Sequence, residues 1–282
     1  MLSDKLGTLY VVATPIGNLQ DITLRALEIL KLVDSIAAED TRHTRKLLKH
    51  FSIDKPVVAL HDFNERKQLQ ILIAQLQQGK SIALVSDAGT PLISDPGFPF
   101  VREARTCGIK IIPIPGACAA ITALSVAGLP TDKFVFEGFL PAKQEARQRH
   151  LLTLVNEVRT IVFYEAPHRL LSTLQSMMEV FGGDRMSSVA RELTKIYESI
   201  ITNNLQSLFT YYTSHQVEQR GEIVILVAGV DPEVNTQNIV SSTHVLEILL
   251  SELPLKQAVK LASEITGQRK NVLYEMALAK RL

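Results

Sequence analysis

Four loops of small and turn-forming residues, spread over the first two thirds of the chain, constrain its fold more than any other feature. They are Ala13-Thr14-Pro15-Ile16-Gly17-Asn18, Ser86-Asp87-Ala88-Gly89-Thr90-Pro91, Ile114-Pro115-Gly116-Ala117-Cys118-Ala119-Ala120 and Phe163-Tyr164-Glu165-Ala166-Pro167-His168-Arg169. Three of them follow runs that read as buried strands, Leu9 to Ala13, Ser81 to Val85 and Thr160 to Tyr164. The loop at Ile114 follows a shorter, proline-broken run, Lys110 to Pro113. Ligands of open α/β sheets bind beyond the carboxyl ends of the strands, and residues without bulk let a ligand approach the backbone there. Four such loops imply a composite site with a small molecule as its occupant.

Hydrophobic periodicity fills in the rest. In the first half, strands are expected at Leu9 to Ala13, Ser35 to Ala38, Val57 to Leu60, Ser81 to Val85 and Lys110 to Ile114. Helices are expected at Thr23 to Val33, His43 to Phe51, Asn64 to Gln77, Pro99 to Thr106 and Ala117 to Ala127. Strict alternation of this kind predicts a mostly parallel sheet covered by helices. A boundary falls near Gly128-Leu129-Pro130-Thr131. The second block carries strand candidates at Phe134 to Phe139, Thr160 to Tyr164, Ser187 to Glu192 and Glu222 to Ala228, with a further one at Tyr197 to Thr202. Its helices are expected at Glu145 to Val155, Arg169 to Phe181 and Leu205 to Tyr212. It reads as α/β or α+β with some antiparallel pairing. A polar linker from Asp231 to Ser242 leads to helices at Thr243 to Glu252, Leu255 to Thr266 and Asn271 to Lys280. The last segment fits a helix-turn-helix and equally a small helical cap. The expected organisation is 1–128, 129–232 and 240–282.

At 282 residues the chain has room for this arrangement. No apolar run approaches the ~18 residues that span a membrane. The start, Met1-Leu2-Ser3-Asp4-Lys5, lacks the basic and long apolar stretches of a signal peptide. Two cysteines argue against a disulfide framework or a zinc site, and a reducing cytoplasm is the simplest setting. The net charge of +1 carries no nucleic-acid signal, but the cations are clustered. Arg42, Arg45, Lys46 and Lys49 crowd one helix, Lys143, Arg147 and Arg149 another, and Lys256, Lys260, Arg269, Lys270, Lys280 and Arg281 the C-terminal segment. Such clusters are solvated helix faces or phosphate-binding patches.

The dinucleotide fingerprint G-x-G-x-x-G, the P-loop, the G-x-S-x-G elbow and H-E-x-x-H are all absent. The segment Ser86 to Gly97 holds two Asp, two Gly and two Pro directly after an apolar strand. A simple turn needs about four residues, and a longer ordered loop at a strand end is more often functional. An acid there can bond a ribose hydroxyl or an ammonium group. Glu39-Asp40-Thr41-Arg42 puts two acids at a strand end before a basic helix. This is either an N-cap or a proton acceptor beside a phosphate-contacting arm.

In these segments the chain resembles a known family. Tyr10 to Leu19, Asp21 to Leu27, Glu39 to Arg42, Ser86 to Pro91, Pro115 to Ala117, Glu137 to Pro141 and Tyr164 to Arg169 are similar to the bacterial 16S ribosomal RNA (cytidine-2′-O)-methyltransferases of the tetrapyrrole methylase superfamily. The resemblance runs from about residue 7 to 230 and on into the helical C-terminal segment. It implies an α/β, two-domain, non-Rossmann methyltransferase fold with a small helical C-terminal domain, S-adenosylmethionine in the cleft between the two α/β domains, and a homodimer. It also implies a substrate in the decoding region of 16S ribosomal RNA within the small subunit. The family's Gly-Asp-Pro cofactor loop is replaced here by Ser86-Asp87-Ala88, which argues mildly against a porphyrin substrate. Carried over residue by residue, the resemblance makes Pro15, Asp87, Gly89, Thr90, Cys118, Ala119 and Tyr164 cofactor-binding, with Ala190 and the strand beginning at Glu222 as weaker candidates.

A ribose hydroxyl is a weak acid, so a general base worth about 10²–10⁴-fold is expected. Glu39 and Asp40 are the first candidates, and Lys195 is a third if burial lowers its pKa. Arg42, Arg45, Lys46 and Lys49, with Arg147 and Arg149, are expected to hold the RNA backbone. No resident metal is expected. A tetrapyrrole methyltransferase and a non-catalytic RNA-binding factor on the same scaffold are the competing readings.

Overall fold

The computed structural model describes residues 6–61, 65–230 and 242–279. Met1 to Lys5, the Asn64 start of the third helix, the expected linker over 231–241, and Lys280 and Arg281 lie outside the described residues. The first five strands are β1 (Thr8–Val12), β2 (Ser35–Ala38), β3 (Val57–Ala59), β4 (Ile82–Val85) and β5 (Lys110–Ile114). They form one parallel sheet in the order β3-β2-β4-β1-β5. The helices between them are α1 (Leu24–Leu32), α2 (Thr41–His50), α3 (Glu65–Gln77) and α4 (Phe98–Thr106), and α5 (Ala119–Val126) follows β5. Every residue of β2 and β4 is buried, as expected when helices cover both faces of a parallel sheet. One core cluster joins Leu9, Leu60, Leu72, Leu76 and Phe100; another joins Val12, Leu30, Ile36, Leu48 and Ile114.

The second sheet is mixed: β6 (Phe134–Phe139), β7 (Thr160–Glu165), β8 (Met186–Arg191), β9 (Ser199–Asn204) and β10 (Ile223–Val227). Its order is β6-β7-β10-β8-β9; β6 and β7 are parallel and the other pairs antiparallel. The last strand in sequence takes the centre, and all five of its residues are buried. Helices α6 (Gln144–Thr153), α7 (Leu170–Phe181) and α8 (Leu205–Ser214) complete this layer. The β6 register shifts between Phe136 and Gly138. Gly138 has φ +64°, a left-handed value that favours glycine, and the bulge re-aims the following Phe139.

Three more helices follow: α9 (Ser242–Glu252), α10 (Leu255–Thr266) and α11 (Lys270–Ala279). The chain divides into two compact units, Met1–Thr153 with Thr160–Ala228, and Leu154–Arg159 with Gly229–Leu282. Both sheets lie in the first, and the expected division at 128/129 falls between them. The second unit has its own small core of Leu246, Val259, Ala262, Leu273 and Ala277. Among the described residues no helix is long and apolar enough to cross a membrane.

Candidate active site

The strand-end loops are tied into one frame. Thr14 and Gly89 exchange backbone hydrogen bonds of 2.9 and 3.0 Å, joining the loops after β1 and β4. Thr90 Oγ1 donates to the Ala117 carbonyl at 3.0 Å, fastening the β4 loop to the β5 loop. The Ala120 N–H, in the first turn of α5, donates to the Tyr164 hydroxyl at 3.3 Å and so reaches the second sheet. The Asn18 N–H donates to Thr194 Oγ1 at 3.1 Å. Gly89 sits at φ +81°, and a Cβ there would stand 3.3 Å from Ile16 Cγ2, so a side chain would be both strained and crowded.

This frame encloses a cavity of about 350 Å³, walled by Ile16, Ala88, Gly89, Thr90, Asp95, Ala119, Phe139, Tyr164 and the strip Gly221 to Val224. A volume of this order suits a small ligand. A second cavity of about 440 Å³ shares Ile16, Ala88 and Glu222 with the first, and adds Pro15, His43, Lys46, His50, Asp87 and Lys195.

The expected cofactor residues therefore divide. Gly89, Thr90, Ala119 and Tyr164 line the first cavity, whereas Pro15 and Asp87 line the second. Cys118 is the N-cap of α5, partly buried, and is among the groups that raise the pKa of the Tyr164 phenol, after burial itself. Ala190 is a correction. It is fully buried in β8 as the register partner of Val224 and lines neither cavity. It packs in one core cluster with Ile16, Tyr164 and Val224, which do line the first cavity.

Of the expected bases, Asp40 is the N-cap of α2. It accepts the Arg42 N–H at 2.8 Å and pairs with the guanidinium at 2.7 Å. Those hydrogen bonds hold its carboxyl well below the usual range, which makes it a weak proton acceptor. Glu39 lines neither cavity. Lys195 is also corrected: burial alone would lower its pKa, but Glu192 at 2.7 Å and Glu222 at 3.3 Å outweigh burial and raise it. It is a fixed cation rather than a base. Asp95, not singled out from the sequence, is half buried with its pKa pushed up to about 6, first by burial, against a hydrogen bond from Ser86 and with Glu39 and Asp87 adding to the rise.

The basic patches divide as well. His43, Lys46 and His50 line the second cavity, while Arg45 and Lys49 line a separate hollow with Ser52, Asp54 and Lys55. Arg42 is engaged by Asp40. Arg149 and Lys143 are exposed. Arg147 is not: it is only 4% exposed. Its guanidinium donates to Ser176 Oγ at 3.0 Å, the Ser172 carbonyl at 3.2 Å and the Ala142 carbonyl at 3.3 Å. It clamps α6 to α7, so the expectation of an RNA contact there is overturned by burial. In the second unit, Lys256, Lys260 and Lys270 line a shallow groove with Asn271 and Tyr274.

Residues the sequence reading did not single out include Asp95, His43, His50 and Phe139. The helical spacing i, i+3, i+7 of 43, 46 and 50 was the available signal for the histidines. Among the described residues no group of His, Cys, Asp or Glu could hold a metal ion.

Comparison with known proteins completes the picture. Residues 8–208 match the family described as Tetrapyrrole (Corrin/Porphyrin) Methylases, and residues 241–281 match the RsmI C-terminal HTH domain. The chain is 53% identical to "Ribosomal RNA small subunit methyltransferase I" of Pseudomonas aeruginosa, over 98% of each chain. It is 50% identical to the protein of that name in Haemophilus influenzae, over 99% of each. The solved structure of uroporphyrin-III C-methyltransferase from Thermus thermophilus, complexed with S-adenosylhomocysteine, shares the fold with a TM-score of 0.55 at 15% identity, covering 79% of this chain and 97% of that one. The loops, the two sheets and these matches together make the chain a methyltransferase that belongs to the tetrapyrrole methylase family, in its ribosomal RNA small subunit methyltransferase I group.

Proposed function

We propose that this enzyme transfers a methyl group from S-adenosylmethionine to the 2′-oxygen of a cytidine ribose in the decoding region of the 16S RNA of the small ribosomal subunit. The observation that carries the reading is the pair of adjoining cavities, one enclosed by the strand-end loops and one with a basic wall, sharing Ile16, Ala88 and Glu222. The relatives' names supply the ribosomal substrate.

The first cavity fits the cofactor. Ala88, Gly89, Thr90 and Ala119 put little bulk on this wall, and a Cβ at Gly89 would be crowded against Ile16. Gly89, Thr90, Ala119 and Tyr164 would hold it. S-adenosylmethionine supplies an activated methyl on a sulfonium, so positioning accounts for much of the rate. The chain's own part is to hold the ribose at the window between the cavities and to accept its proton. Glu222 lies on both walls, mostly exposed and only loosely paired with Lys195 at 3.3 Å, so unlike Asp40 it keeps lone pairs free to take a proton. It is our proton acceptor, Lys195 its positioning residue, and Glu39 the alternative. Arg45 and Lys49 would contact flanking phosphates. A cytoplasmic homodimer is the setting this reading expects.

The test is transfer of labelled methyl from S-adenosylmethionine to unmodified small subunits, with free 16S RNA and a porphyrin precursor in parallel. Label at a ribose 2′-oxygen is expected. Label in the porphyrin alone would move the enzyme to another branch of the family.

A further inference from the structure

The second cavity has an asymmetric charge. One wall is α2, whose exposed His43, Lys46 and His50 line the hollow at successive helical turns. Two acids line the same hollow: Asp87, which accepts the Asp40 N–H at 2.9 Å, a contact that leaves its charge in place, and Glu222, which is paired with Lys195 at 3.3 Å; Lys195 also pairs with Glu192. Among the described residues Lys46 has no ion pair. An ammonium and two imidazole rings, each able to donate an N–H, thus line one side of a hollow of about 440 Å³. The opposite side, at Ile16, Ala88 and Glu222, is shared with the first cavity.

We propose that this cavity seats the target nucleotide itself, with the phosphate next to the reacting ribose on His43, Lys46 and His50. The ribose then faces the window at Ile16, Ala88 and Glu222. The proposal rests on the reading of the enzyme as an RNA methyltransferase. It separates two roles on one helix. His43, Lys46 and His50 fix the reacting nucleotide, and Arg45 and Lys49, on a separate hollow, attract the backbone at large. A nucleotide whose ribose reaches the residues shared by both cavities must be unpaired or splayed from its neighbours.

The test uses small subunits reconstituted with 16S RNA in which one phosphate beside the methylated nucleotide is replaced by a neutral methylphosphonate. For the wild-type enzyme, the correct replacement is expected to lower kcat/KM on the order of 10- to 100-fold, the value of one charge-assisted contact. Lys46→Ala is expected to show a similar loss on the natural RNA and no further loss on the neutral linkage. Its affinity for S-adenosylmethionine, measured by calorimetry, should stay at the wild-type value, which also reports that it folds. Lys49→Ala should keep the full sensitivity to the neutral linkage. Full sensitivity in Lys46→Ala, or a wild-type enzyme indifferent to replacement on either side, would overturn the seat. A wild-type enzyme that methylates no ribosomal RNA overturns the underlying function first, and the natural-RNA control alone reveals that case.

Discussion

Asp87 and Asp40 stand 47 positions apart in sequence, yet the Asp87 carboxylate accepts the Asp40 backbone N–H at 2.9 Å. The loop after β4 thereby holds the residue that caps α2. One carboxylate supports both the frame of the first cavity and the basic wall of the second.

Asp87→Ala should therefore disturb both ligands. We expect a stability loss of about 1–3 kcal/mol from the unpaired N–H, weaker cofactor binding and a higher KM for the subunit. Asp87→Asn keeps an acceptor oxygen and should recover most of the stability. Calorimetry of cofactor binding with thermal melts checks both; equal losses in the two variants would mean that charge, not the strut, matters.

Tyr164→Phe removes the acceptor of the Ala120 N–H while keeping the ring, which packs edge-on against Phe136 and Phe139. The expected cost is about 0.5–1.5 kcal/mol of stability, seen as a small fall in Tm, together with a several-fold rise in the cofactor Kd. A large fall in Tm would show the hydroxyl to be chiefly structural.

Asp95 makes stability depend on pH. Its carboxyl pKa rises from 3.8 to about 6 in the fold, so the folded protein binds this proton more tightly than the unfolded chain does. Its contribution is fully present below pH 3.8 and is lost as pH rises through 6. Asp95→Asn should melt higher than wild type at neutral pH and equally at the acid end. The gain is bounded at about 3 kcal/mol and reduced by screening, because the group is half exposed. A constant difference across the range would exclude Asp95 as its source.

Arg147 and Arg149 should separate cleanly. Arg147→Ala strands the hydrogen-bonding groups it serves between α6 and α7 and should cost about 2–4 kcal/mol, with an unchanged salt dependence of RNA binding. Arg149→Ala should leave Tm alone and flatten that salt dependence slightly. Parallel melts and binding isotherms decide it.

Glu222 and Glu39 compete as the proton acceptor. Glu222→Gln should lower kcat by about 10²–10⁴-fold, and Glu39→Gln by less, since Glu39 lines neither cavity. The opposite ranking in single-turnover assays would return the role to Glu39.

The elements were readable because the forces that set them are local. Ile82–Val85 and Ile223–Val227 are buried throughout, and a continuous apolar run bounded by turn residues announces that. The four loops were readable for the same reason, since chain direction alone puts them at strand ends. The order of the second sheet was not, because the central place of β10 depends on pairing with β7 and β8, far earlier in the chain. Arg147 reads as a surface charge between Glu145 and Arg149; its burial is decided by Ser172 and Ser176 on another helix. The rise at Asp95 and the raised Lys195 likewise come from neighbours that only the fold assembles.

The paired hydrogen bonds between Thr14 and Gly89 bear on how binding free energy is spent. Two loops closed on each other in this way have little chain entropy left to lose when a ligand arrives. Cofactor affinity should then track the fit of the molecule to a fixed mould, and lengthening either loop by one residue should weaken it even where no lining side chain changes.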